Sequence, residues 1–296
     1  MPRIINRFLF LGVIYLYVSL ALVDKNKMDS AAWKHYKKTL KFNNITLHET
    51  PGYQGSTDNT KNEKSIVVVC GCKRPRFSSS TFEYVDYKKS VTTKYFIMID
   101  VTSGTARKQD RVFSPLVQPS DGSSCVENIW QSCKRYHPDD IPREQEKKFW
   151  KEFKTPKNGA KNPRRSKPVA NFIAKNKRTP REIRYSFEGT SYKKKKNARR
   201  MIYAKAYNRE LIQKGARERM QQIKEMLSKS PGQITCVVLD YDGPKIIDAA
   251  TGMKKSSTQV MTNDFLWKIS EGQASFGHGY IVAANIAGID SSFEKR

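Results

Sequence analysis

The sequence predicts an α+β fold, a mainly helical single domain assembled on a few short central strands. Three observations lead there. Ser65 to Cys72 (SIVVVCGC), Lys94 to Thr102 (KYFIMIDVT) and Gln233 to Asp240 (QITCVVLD) are β-branched and aromatic runs of strand length. They are apolar almost throughout, as strands covered on both faces are. Val126, Ile129, Trp130 and Cys133 recur at helical spacing, and a longer pattern of the same kind spans Tyr192 to Leu227. Of 296 residues 38% are hydrophobic, with 14 Phe, 14 Tyr and 4 Trp. That is enough to fill a core, so wholesale disorder is excluded. With 16 Gly and 13 Pro and no internal repeat, the chain is neither fibrous nor a solenoid.

In chain order, Met1 to Arg7 carries two arginines, Phe8 to Val23 is an apolar run, and Ser19-Leu20-Ala21 offers the small residues a signal peptidase needs. The apolar run has 16 residues, short of the about 20 that span a bilayer. Residues 1–27 therefore read as a signal peptide, an anchor, or a spurious extension upstream of a start at Met28. Location follows from that choice: secreted or membrane-anchored if residues 1–23 are a signal, cytoplasmic or nuclear if Met28 begins the chain. Residues 28–64 form a polar N-terminal segment, and Asn43 to Lys64, rich in Thr, Asp, Asn and Gly, reads as a loop. The remaining domain covers 65–290. Between its first two strands, RFSSSTFEYVDYKKS is a weaker strand pattern.

Asp121 to Ser124 is turn chemistry leading into the amphipathic helix CVENIWQSCKRY, and Pro142 to Phe153 is a second helix with proline in its first turn. Thr155 to Arg184 holds four prolines among basic residues and reads as an irregular arm. The long pattern after Tyr192 is interrupted near Gly215 and broken at Ser230-Pro231-Gly232. The tail reads as a short helix in GPKIIDAATG, a strand or loop in STQVMTNDFLWKIS, and a final helix after Gly279.

The formal charge is +27, from 55 basic and 28 acidic side chains. From Lys151 to Glu210 there are 20 Lys plus Arg against 4 Glu, so +16 lies in that stretch. A basic insertion spans about 151–197. The runs NPRRSK, KNKR and KKKKNARR have aromatics nearby, a pairing suited to nucleic acid: cations neutralise phosphate and rings stack on bases. Arg164, Arg165 and Lys193, Lys194, Lys195 and Lys196 are the candidate nucleic-acid contacts. A solvated basic surface or a nuclear-localisation patch explains the same residues.

Five cysteines without a CxxC, and four histidines, give no metal spacing. Neither a metal nor a cofactor is expected. No Walker loop, GxGxxG turn, HExxH helix or GxSxG elbow occurs, so chemistry falls to isolated carboxylates. Glu127 lies on the CVENIWQ helix with Gln131 one turn on and Lys134 beyond; a surface glutamate at a helix start is also favoured by the dipole alone.

The stretch FSPL, then SSCVENIWQSCKRY, resembles the opening signature of the NADAR (NAD- and ADP-ribose-associated) superfamily, in which a short turn precedes a helix of the form S-V-E-H-A-Y-Q-A-Q-K. Val126, Glu127, Gln131 and Lys134 match it, Trp130 stands for a tyrosine, and Asn128 replaces a histidine. The order IDVTS, FSP, SVEgIWQ, AR…IY…Y and LLDY is also similar to that of an uncharacterised bacterial and phage family. Here the matching pieces are Ile99 to Ser103, Phe113 to Pro115, Cys125 to Gln131, Ala198 to Tyr207 and Val238 to Tyr241. The resemblance covers about residues 94–242.

It implies a NADAR-like fold and an N-glycosidase, a hydrolase of ADP-ribosylated or modified nucleotides, or a non-catalytic binder of such nucleotide or ADP-ribose-like ligands, including those in nucleic acid. Glu127 would stabilise the oxocarbenium character that builds as a ribose–nitrogen bond breaks. Gln131, Lys134, Arg199 and Arg200 would hold the substrate and its phosphates, with Trp130 or Tyr203 stacked on a ring. The family's late D-x-x-W-G-x-G segment has its nearest counterparts in Asp248, Asp264 and the glycines of FGHGY. Two alternatives stand beside this: a basic non-catalytic nucleic-acid-binding protein, and a secreted or membrane-anchored basic effector that meets membrane only if its apolar N-terminus is retained.

Overall fold

The computed structural model describes residues 31–50, 65–71, 93–102, 109–117, 125–154, 167–241, 243–247, 249–252, 254–271 and 276–293. It is an α+β architecture of helices packed on mixed sheets. The expectations for residues 1–27 and for RFSSSTFEYVDYKKS, and the residues Asp248, Arg164 and Arg165, lie outside the described residues. No helix among the described residues is long and apolar enough to cross a membrane.

Three apolar runs form the centre of a five-stranded sheet: β2 (Ile66–Gly71), β3 (Tyr95–Asp100) and β7 (Ile234–Asp240). The sheet order is β1-β3-β7-β2-β10, with β7 parallel to both neighbours and the short edges β1 (Leu47–Glu49) and β10 (Thr258–Val260) antiparallel. All seven residues of β7 are buried, which explains why it lacks hydrophobic–polar alternation. Val67, Val69, Ile97, Ile99, Cys236 and Val238 enter the main core, while Val68, Cys70, Phe96, Val237 and Leu239 form a cluster on the other face. Burying each such branched side chain contributes about 1.5–3 kcal/mol.

The main core reaches back beyond Ser65. Tyr36 and Leu40, on a helix α1 over 31–42, and Ile45 pack in it, and the Tyr36 hydroxyl donates to the Met226 carbonyl at 2.8 Å. Leu47–Glu49, expected within a loop, pairs with β3 because the extended LHE segment meets that strand's free edge.

On the main-core face lie α2 (Val126–Cys133), against which α3 (Arg143–Lys154) packs, and the long helix α5. The last runs through Lys195–Ala198, a π-helical stretch Arg199–Ala204, and Lys205–Leu211. α6 (Lys214–Ser228) follows a two-residue break. The helix expected through Tyr136 stops at Cys133, and Lys134–Tyr136 becomes β4, paired with β5 (Glu182–Phe187) and β6 (Thr190–Tyr192) in a second sheet. The arm expected to be irregular contains α4 (Lys167–Asn176) as well as the start of β5. Proline is tolerated in a helix's first turn, and Val169, Phe172 and Ile173, at helical spacing, pack on Tyr136 and Ile141.

The tail is also corrected. Lys245–Ile247 (β8) and Lys254–Ser256 (β9) form a hairpin where a short helix was expected. Asn263–Glu271 is a helix, α7, whose first turn is capped by Thr262, its hydroxyl accepting the Phe265 N–H at 3.0 Å. The final helix, α8, is His278–Ile286.

Candidate functional site

The three parallel strands end together: Gly71 is in register with Asp240, and Asp100 with Leu239. Open sheets place ligands beyond the carboxyl ends of their parallel strands. Asp100 and Asp240 are buried at these ends. Asp100 accepts the Thr102 N–H at 2.9 Å and hydroxyl at 2.5 Å. Asp240 accepts the Gly279 N–H at 3.0 Å at the start of α8. His278 Nε2 donates to the Val101 carbonyl at 2.6 Å, which leaves Nδ1 facing Asp240 Oδ2 at 3.8 Å.

α2 is anchored beside this edge. Its N-cap, Cys125, is extended but makes no side-chain cap bond. The Glu210 carboxylate of α5 accepts the Val126 N–H at 2.8 Å instead, and the Glu127 N–H donates to the Pro115 carbonyl at 3.0 Å. The Tyr207 hydroxyl donates to the Phe113 carbonyl. Phe113-Ser114-Pro115, the VENIWQ helix and the tyrosines of α5 therefore form one assembly.

Glu127 is half-buried in the first turn of α2, and Gln131 Nε2, one turn on, donates to its Oε1 at 2.7 Å. Burial pushes the Tyr203 hydroxyl well above its usual range, and the charges of Glu127, Tyr207, Asp240 and Glu210 push it further. Burial, Glu210 and Asp240 do the same to Tyr207. Both tyrosines are thus neutral hydrogen-bond donors in an acidic setting. The Cys125 thiol is raised by burial and by Glu210 and Glu127, against backbone N–H groups that lower it, so it is no nucleophile.

Several residues expected to hold substrate are engaged within the protein. Trp130 stacks on Tyr185 at 5.4 Å and meets the Tyr203 ring edge-on at 5.6 Å, so no free face awaits a base. Lys134 pairs with Glu182 at 3.1 Å. Arg200 donates to the Ser270 hydroxyl at 2.8 Å, pairs with Glu271 at 3.2 Å and lies over Trp267 at 4.3 Å, which fixes α7 against α5. Arg199 is buried. Asp264 is exposed in the first turn of α7, where the dipole favours an acid. Of the four lysines, Lys193 and Lys194 are exposed; Lys195 lies 3.7 Å from Glu182 and Lys196 3.8 Å from Glu271. Among the described residues no group of three or more His, Cys, Asp or Glu could hold a metal ion.

Besides Glu127, the acids whose charge acts on the Tyr203 hydroxyl are Glu210 and Asp240. Sequence reasoning passed over both. Glu210 carried no local signal, whereas Asp240 ended a strand and His278 sat between two glycines, each a visible cue. Comparison of the chain with protein-family models gives no match, and no curated protein matches it.

Proposed function

We propose that this chain is an N-glycosidase of the NADAR type, cleaving the bond between ribose C1′ and a base nitrogen in an ADP-ribosylated or otherwise modified nucleotide. The observation that supports this is the Glu127 carboxylate, half-buried and oriented by Gln131 at 2.7 Å, with Glu210 bound to the adjacent residue of the same helix. As the C1′–N bond breaks, its electrons leave with the base and positive charge builds on the sugar. Glu127 stabilises that charge, and a second carboxylate accepts a proton from the water that adds to C1′. Two acids are the usual requirement of this chemistry. Glu210 replaces the late aspartate as the nearest candidate for the second.

The test is base release from ADP-ribosylated guanosine by wild type and Glu127→Gln. Wild type should turn over and the variant should lose about a hundredfold or more. Equal rates remove Glu127 from the mechanism, and an inactive wild type favours a binding protein.

A second reading rests on Lys193 and Lys194, exposed beside the edge strand β6. They fit a phosphate-backbone contact, with affinity for plain DNA or RNA falling steeply with salt and weakened by Lys193→Ala with Lys194→Ala. Binding indifferent to salt would exclude it.

A further inference from the structure

Trp130 belongs to the main core and Trp33 packs against it, whereas Trp267, on α7, is 41% exposed. So large an apolar ring at the surface forgoes much of the free energy that burial supplies. The indole is nevertheless fixed. The Arg200 guanidinium lies over it at 4.3 Å, and the Phe293 ring stands at right angles to it at 5.5 Å. Arg200 is itself held, by the Ser270 hydroxyl at 2.8 Å, the Glu271 carboxylate at 3.2 Å and the Trp267 carbonyl at 3.3 Å. An exposed aromatic ring already ordered by its neighbours binds a second flat group with little further loss of freedom.

The charge around the ring is cationic. Lys196, one turn before Arg200, lies 3.8 Å from Glu271, and Lys268 is exposed next to Trp267 on α7. Lys193 and Lys194 are exposed at the entry to α5. Against these five cations stand two acids: Glu271, held between Lys196 and Arg200, and Asp264, exposed one turn before Trp267. An exposed ring within a surplus of positive charge suits a polyanion that carries flat apolar groups, which is the composition of nucleic acid. Lys194 precedes Arg200 by about 9 Å of helix, a length that about three nucleotides cover at about 3.4 Å each.

We infer that the surface shared by α5 and α7 binds single-stranded nucleic acid: a base stacks on Trp267, and the lysines entering α5 take neighbouring phosphates. Bases in a duplex are stacked on one another and leave no face for the ring, so a single strand is selected. This rests on the second reading above in taking nucleic acid as the partner, and adds a stacking residue and a choice between strand forms.

The experiment is titration of the full chain with labelled oligothymidylate, a DNA duplex of the same length and polyglutamate, followed by probe anisotropy and tryptophan emission. Wild type should bind the single strand most tightly, with its emission quenched. Trp267→Ala should weaken the single strand about tenfold, the worth of one stacked base, leave the duplex unchanged and remove most of the quenching. Trp267→Phe keeps a ring and should restore most of the affinity but not the quenching. Lys193→Ala with Lys194→Ala should weaken both nucleic acids and flatten their salt dependence. Equal single-strand binding by wild type and Trp267→Ala, or duplex or polyglutamate bound as tightly as the single strand, would overturn the inference. Where salt-dependent binding through Lys193 and Lys194 persists in that case, the second reading survives alone. No binding of any of the three by wild type removes both. The wild-type order and the Trp267→Phe variant decide the question even if Trp267→Ala does not fold.

Discussion

The Glu210 carboxylate accepts the Val126 N–H at 2.8 Å from 84 positions further along the chain, and so closes the first turn of α2. Cys125 makes no side-chain bond to cap that turn, and an anion there also complements the positive end of the helix dipole. Glu210→Ala should therefore cost about 1–2 kcal/mol, the loss typical of a removed cap. Glu210→Gln retains an acceptor and should cost less. Urea denaturation of both variants checks the order; an unaltered midpoint in Glu210→Ala would show that the contact contributes nothing.

Gly279 is required by closeness rather than by backbone conformation. A Cβ there would stand 2.5 Å from Asp240 Oδ2 and 2.6 Å from Asp240 Cβ, both within the buried junction of β7 and α8. Gly279→Ala should destabilise by about 1–3 kcal/mol, as overpacking does. Glycine to alanine within an unobstructed helix has the opposite sign, about 0.5–1 kcal/mol of gain. A thermal melt that rises on substitution would contradict the packing described here.

Thiol chemistry should be silent at the four cysteines among the described residues. Burial pushes the Cys133 thiol up to about 12 despite Lys134 and Arg135, and burial likewise raises Cys70, Cys125 and Cys236. Since the thiolate is the reactive form, iodoacetamide at neutral pH should leave these four peptides unlabelled and should label all of them in guanidinium. Rapid native labelling at Cys125 would place it outside the core.

The Glu182 network gives a pH dependence of defined sign. Burial raises its carboxyl, but Lys134 at 3.1 Å, the Tyr185 hydroxyl and Lys195 outweigh that and hold it below the ordinary value. A carboxylate depressed in the folded state stabilises above its unfolded pKa, about 4.3, and loses that contribution as pH falls through the depressed value. Lys134→Met should lower the melting temperature near neutral pH, with the gap to wild type closing in acid. A gap independent of pH would mean that Lys134 acts through packing alone.

Much of the fold was legible because local pattern and burial coincide in it. The strands β2, β3 and β7 are apolar up to their last residues save Thr235, and only a doubly covered position makes such a run favourable. The α2 spacing was legible for a similar reason: Val126, Ile129, Trp130 and Cys133 all enter the core. Leu47–Glu49 and Lys167–Asn176 were not legible. A three-residue strand exists only because β3 offers it an edge, and α4 owes its stability to Tyr136 and Ile141, distant in sequence.

For the candidate site the division is sharper. By itself the sequence determined that Glu127 stands in the first turn of an amphipathic helix and that the basic charge is concentrated after it, because composition and helical spacing are local properties. Only the tertiary structure decided which charges remain available. Lys134, Arg200 and Trp130 are consumed by Glu182, Glu271, Tyr185 and Tyr203, while Glu210 reaches the first turn of α2 from α5, 84 positions further along the chain. Ion pairs and ring stacks depend on separations of a few ångströms in space, and spacing along the chain does not specify those.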